Sequence, residues 1–328
     1  MMTRSELAKN RDLVKDKAVG ALVGLAIGDS FGDACRLQDN RVNYGITTDF
    51  NSGASWSTDD TEFALLTAKT LLKCKGNLTT KDVVDAWMED VCVQDEYKRG
   101  GASEKAAADN LRRGLRPPES GKFNTFFMSD GTAMRIPPVG IVAAGDPERA
   151  IKMAEIDASI SHYEEGIWGA QSVAAAVSVA MVDGSFDEIM EAALLPIPTD
   201  SWLYYNLTEA FKIIDSVNGS LFDCWMPIHD LLRASTWATT AEAIPSAYCA
   251  LKLSHNNFRD GVVIAGNFAR DADTIGAVCG SILGAKYGFK SIPEKWANKV
   301  RYPSGTCLQF TKGLDIFQVG EALGNLIV

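Results

Sequence analysis

Two acidic stretches, far apart in the chain, carry the side chains best suited to chemistry. The first is Ser57-Thr58-Asp59-Asp60-Thr61-Glu62 and the second is Asp271-Ala272-Asp273-Thr274. Each sets carboxylates and a threonine hydroxyl within a few residues. Such hard oxygen donors suit Mg²⁺ or Mn²⁺. A histidine-based zinc site is a poorer match, since the chain has only His162, His229 and His255 and no HExxH. The plainer alternative is that both stretches are helix starts. Ser57 or Thr58 makes a good N-cap, as does Asp271 or Asp273, and first-turn acids complement the helix dipole. Local spacing favours caps. The neighbouring residues favour two halves that meet in space and hold divalent metal.

The elements that must position them carry glycine at intervals of four. A helix is expected from Asp12 to Gly28, with Gly20, Gly24 and Gly28 along it and Gly32 beyond. Glycine costs a helix about 1 kcal/mol per site, so the stripe implies another backbone at close range. Gly28-Asp29-Ser30-Phe31-Gly32 reads as a closing turn, and Asp33 to Trp56 as a loop. Gly276, Gly280 and Gly284 repeat the spacing in a helix over Asp273 to Tyr287. Helical periodicity also marks Thr58 to Leu72, Thr80 to Val93, Ser103 to Leu115, Pro147 to Ala158, Glu164 to Val182 and Thr240 to Leu253. Shorter helices are expected at Ser185 to Leu195, Asp200 to Val217, Trp225 to Ala234 and Phe258 to Ala265. Glu119 to Gly131 reads as a loop. Few segments alternate with period two and none has a βαβ rhythm. The fold class is therefore all-α, one compact multi-helix domain over residues 1–328.

Composition excludes some partners. The formal charge of −10 argues against nucleic-acid backbone binding. Seven scattered cysteines, without a CxxC pair, suit a reducing compartment. The run Ala18 to Gly28 is short for a bilayer span, which takes about 20 residues. Gln171, Ser172 and Ser178 interrupt the longer uncharged run between Glu165 and Asp183, which reads as a buried helix. A cytoplasmic protein without a membrane partner is expected.

Five motifs in order resemble the ADP-ribosylglycohydrolases. They are Gly20 through Asp29, then Ser57 through Thr61, then Asp130-Gly131-Thr132-Ala133-Met134-Arg135 onward to Gly140. Ser159-Ile160-Ser161-His162 and Asn267 through Ile275 complete the set. The resemblance runs from about Ala18 to Gly288. It implies an orthogonal helical bundle with a dinuclear Mg²⁺ or Mn²⁺ centre, whose ligands would be Thr58, Asp59, Asp60, Asp271, Asp273 and Thr274. Ser129, Asp130, Gly131 and Thr132 would lie against a diphosphate, with backbone N–H groups cradling its oxygens. Met134 would form part of the wall, and His162 would sit near phosphate or ribose. The implied reaction is hydrolysis at ribose C1″ of an ADP-ribosyl group.

Departures from the family pattern bear on the chemistry. Arg36 stands where many relatives carry a glutamate. Ser129-Asp130-Gly131 replaces a Gly-Asn-Gly loop, and Ala269-Arg270 a Gly-Gly pair. The acid/base role then falls to Asp60 or Asp130, with Asp33 and Glu165 also considered. Arg270 is a candidate for binding substrate, and Arg36 either binds it or neutralises the cluster. The acceptor could be a modified protein side chain, arginine first, or a small ribosyl compound; a non-catalytic ADP-ribose binder is the reading from another class.

Overall fold

The computed structural model describes residues 1–36, 45–50, 57–94, 98–268 and 270–328. The first helices are α1 (Arg4–Lys9), α2 (Arg11–Arg36), α3 (Asp59–Lys73), α4 (Thr80–Asp90), α5 (Ala102–Arg112) and α6 (Glu119–Lys122). Next come α7 (Pro137–Val142), α8 (Pro147–Ala158), α9 (Glu165–Ala180), α10 (Phe186–Leu194), α11 (Trp202–Ser216) and α12 (Leu221–Leu232). The chain closes with α13 (Thr240–Leu253), α14 (Phe258–Gly266), α15 (Ala272–Tyr287), α16 (Glu294–Val300) and α17 (Ile316–Gly324). The described residues contain no strand, only one bridge between Ser129 and Thr239. The protein is all-α, as expected.

The centre of the bundle is the antiparallel pair α2 and α15. Cβ atoms added to Gly20, Gly24, Gly28 and Gly32 would overlap the carbonyl oxygens of Gly284, Gly280, Gly276 and Ala272 in turn. The glycine stripes therefore interlock, and the close approach offsets their helix cost. The expected turn at Gly28 to Gly32 is not there: α2 runs on to Arg36. Continued backbone hydrogen bonding and packing against α15 outweigh the local turn propensity of Gly-Asp-Ser. The extended helix is long and apolar enough to cross a membrane, but its apolar window is wholly buried inside the protein. Of the expected loop Asp33 to Trp56, residues 37–44 and 51–56 lie outside the described residues, and Asp33 to Arg36 is helical.

Two further details hold the site's surroundings. Glu62, in the first turn of α3, is fully buried and accepts from the backbone N–H groups of Thr306, Cys307 and Leu308. It thereby ties the C-terminal segment to the start of α3. Pro245 lies inside α13 and cannot donate to Ala241, whose carbonyl instead accepts from Asn206 Nδ2 at 2.6 Å. Elsewhere, α6 is a short helix where a loop was expected, and α12 begins four residues before Trp225.

Candidate metal centre

The glycine pairing brings the two acidic stretches together. As α2 ends beside the start of α15, α3 presents its first turn to the same place. Asp29, Asp60 and Asp273 each offer a carboxylate oxygen, all within 4.8 Å of one another. Asp60 and Asp273 line a cleft of about 760 Å³ together with Arg36, Asp59, Asp271 and Thr274. Ser129, Asp130, Gly131 and Met134 form part of its wall. Phe126, Trp202 and Trp237 also line it, each with substantial solvent exposure.

The two helix starts behave differently. Thr58 is a true N-cap, its Oγ1 accepting from Asp60 N at 3.4 Å. The same hydroxyl donates to Asp29 Oδ1 at 2.7 Å. Asp271 holds the N-cap position of α15 but makes no capping bond; its carboxylate accepts from Arg36 at 2.8 Å. Asp60 Oδ2 and Asp130 Oδ2 are buried without a hydrogen-bond partner. A buried carboxylate oxygen left alone is costly, and each is a place where a proton or a cation would be stabilised.

Burial raises the Asp59, Asp60, Asp130 and Asp273 carboxyls well above the usual carboxylate range, with charge from neighbouring acids adding to it. Asp29 rises to about 6 through burial, against opposing hydrogen bonds from Thr61 and Thr58. Folding of the metal-free chain therefore takes up protons. That stability is fully present below the unfolded carboxylate pKa of about 3.9 and is lost as pH rises through the higher folded values. In EDTA the melting temperature is expected to fall from about pH 5 to about pH 8. Excess divalent cation should remove most of the fall. Parallel losses with and without cation in thermal melts would contradict this account.

The remaining expected residues divide in two. Ser129 meets the cleft, and its Oγ is 2.8 Å from His162 Nε2 and 2.9 Å from Ser103 Oγ. His162 is fully buried behind it, bonded through Nδ1 to Ser161 Oγ at 2.8 Å, and does not line the cleft. Burial, then the charge of Arg135, holds its pKa well below the usual histidine range. A neutral His162 thus orients Ser129. Thr132 is also buried away from the lining, donating to Gly166 O at 2.7 Å. Arg270 is outside the lining because Glu242 takes its guanidinium, at 2.7 and 3.0 Å. Asp130 N–H, expected to face phosphate, donates to Ala238 O at 3.2 Å. Ala269 lies outside the described residues.

Sequence reasoning missed two carboxylates. Asp29 accepts from the backbone N–H and hydroxyl of both Thr58 and Thr61, and so organises the start of α3. The signal was present: Asp29 and Asp33 are the sole charges between Lys17 and Arg36 in an apolar helix. Glu104 gave no signal. It lies in the first turn of α5, is fully buried, lines the cleft and pairs with Arg135 at 3.4 Å. Its charge is the largest of those acting on Asp59. Cβ atoms on Gly101 and Gly131 would both overlap it, so glycine is needed at each to admit the carboxylate.

A buried carboxylate cluster beneath a ligand-sized cleft is the arrangement of a binding or catalytic site. Comparison with known proteins supplies the class with its family. The family described as ADP-ribosylglycohydrolase matches residues 10–325, and the chain belongs to it. The protein is thus an enzyme of the hydrolase class. It is 29% identical over 300 residues to an uncharacterised protein of Archaeoglobus fulgidus, covering 86% of this chain and 91% of that one. It is 26% identical over 298 residues to the ADP-ribosylarginine hydrolase Tri1 of Pseudomonas putida, covering 88% of this chain and 75% of the relative. A solved structure described as an ADP-ribosylglycohydrolase-related protein complex shares the fold. Its TM-score is 0.66 at 23% identity, over 96% of this chain and 98% of that one.

Proposed function

We propose that the protein hydrolyses the glycosidic bond at ribose C1″ of an ADP-ribosyl group on a protein side chain, with arginine the first candidate acceptor. The observation that carries this is the pair of orphaned carboxylate oxygens, on Asp60 and Asp130, at the floor of a cleft large enough for a nucleotide. The name of the Pseudomonas relative supports the choice of arginine.

The donor set fits a divalent cation, Mg²⁺ or Mn²⁺; the family resemblance would have Thr58, Asp59, Asp60, Asp271, Asp273 and Thr274 hold it. Bound there, it would orient ribose hydroxyls and lower the pKa of a water. The chain's own residues do the rest. Phe126, Trp202 and Trp237 offer faces for an aromatic base. Asp130, whose carboxyl burial and Asp271 push toward the protonated form, donates a proton to the leaving nitrogen as the C1″–N bond breaks. Water adds its oxygen to C1″, and Glu104, ion-paired with Arg135, takes the released proton. Asp60 remains a ligand. We place the activity in the cytoplasm, with no membrane or nucleic-acid partner.

The test is release of ADP-ribose from arginine-linked, serine-linked and small ribosyl substrates, with Mg²⁺, with Mn²⁺ and in EDTA. Cation-dependent release from arginine is expected. Release undiminished in EDTA would overturn the metal centre. Release only from small compounds would overturn the protein acceptor, and tight ADP-ribose binding without turnover would favour a binder.

A further inference from the structure

We propose that the guanidinium of Arg36 takes the place of one cation, so that the centre binds a single divalent ion. This rests on the reading of the acidic cluster as a cation site and departs from the paired ions that the family resemblance implies.

The register of the core delivers Arg36 to the cluster. Gly32 packs against Ala272, the first residue of α15. Arg36 is the next position on the same stripe, four residues on, and ends α2. Its backbone is therefore placed beside Asp271 by helix packing, independently of what the carboxylates bind. The favourable C-terminal helix dipole adds to this. From there Nη1 donates to Asp271 Oδ1 at 2.8 Å and to Asp273 Oδ1 at 2.7 Å. Nη2 lies 2.6 Å from Asp273 Oδ2 and 3.0 Å from Asp33 Oδ1. Nε donates to Asp33 Oδ1 at 3.1 Å. The Trp237 ring lies 5.4 Å from the guanidinium carbon.

This is a fork on Asp273 closed by three further contacts, one to Asp271 and two to Asp33, a strong arrangement for a planar cation. Paired ions in two-metal sites stand about 3.5–4 Å apart. An ion held by Asp271 and Asp273 would compete with the guanidinium for the same carboxylate oxygens and be repelled by its charge. Asp60 Oδ2, by contrast, accepts nothing, and a carboxylate oxygen of Asp29 lies within 4.8 Å of one on Asp60, which leaves a place there for one ion. Asp33, four residues after Asp29 and three before Arg36, holds the arginine from its own helix.

The experiment strips the full chain with EDTA and titrates it with Mn²⁺, reading stoichiometry by calorimetry and by elemental analysis, and ion pairing by electron paramagnetic resonance. The wild-type protein should take about one Mn²⁺ per chain with an uncoupled six-line spectrum. Arg36→Glu should take a second ion and show an exchange-coupled spectrum. Arg36→Gln, which keeps size and removes charge, should bind the second ion at least about tenfold more tightly than wild type does. Circular dichroism checks that each variant is folded, and either folded variant suffices. Two coupled ions in the wild type would overturn the proposal while leaving the cation site intact. No Mn²⁺ in the wild type would overturn both. Folded variants that remain at one ion would also overturn it.

Discussion

Replacing Asp60 with asparagine should reduce ADP-ribose release by about 10³-fold or more, since a bound cation contributes several kcal/mol of charge stabilisation and each 1.4 kcal/mol is tenfold in rate. Mn²⁺ binding should be lost with it. The metal-free variant should nonetheless be more stable than the parent near neutral pH. Asp60 is 1% exposed, and one of its oxygens accepts no hydrogen bond. Burial and the charges of Asp273, Asp29 and Asp59 oppose its ionisation. Removing that charge should return about 1 kcal/mol, which for a chain of this size is about 2 °C in melting temperature. The opposite signs separate a functional residue from a structural one. A metal-free Asp60→Asn that melts below the parent would identify Asp60 as a structural group, and full activity would remove it from the site.

Glu104→Gln should lower kcat by about 10²- to 10⁴-fold, the usual range for a general base, and leave the number of bound Mn²⁺ ions unchanged. The fold should survive, because Arg135 keeps Asp157 at 2.9 Å, Ser161 Oγ at 3.0 Å and Gly131 O at 3.0 Å. Glutamine retains the shape that Gly101 and Gly131 accommodate. A kcat within about threefold of wild type would return the role to another carboxylate.

The departure at Arg36 and the arrival of Glu104 belong together. The resemblance implies a glutamate near the end of α2, where the chain has an arginine. The cleft does contain a buried glutamate, supplied by α5 from elsewhere in the sequence. Nothing in the pattern around Ser103-Glu104 distinguishes that residue from an ordinary first-turn acid, and only the fold places it beside Asp59. Arg270 runs the opposite way. It stands next to Asp271 in sequence, but its φ of +60° and its pairing with Glu242 turn it from the cleft. His162 and Thr132, one motif apart, likewise serve the wall from behind.

By itself the sequence determined the all-α class, the two acidic helix starts and the glycine stripes that join them. These follow from short-range rules: periodicity, capping, and the absence of Cβ at every fourth position. It also determined that the donors are hard oxygens. What the tertiary structure alone decided is which charge faces which. Whether Gly28 to Gly32 turns or continues depended on the backbone of α15, far along the chain, through the pairing of Gly32 with Ala272. That continuation sets Arg36 among Asp33, Asp271 and Asp273. Electrostatic partnership depends on distance and burial, neither of which a single chain's local pattern contains.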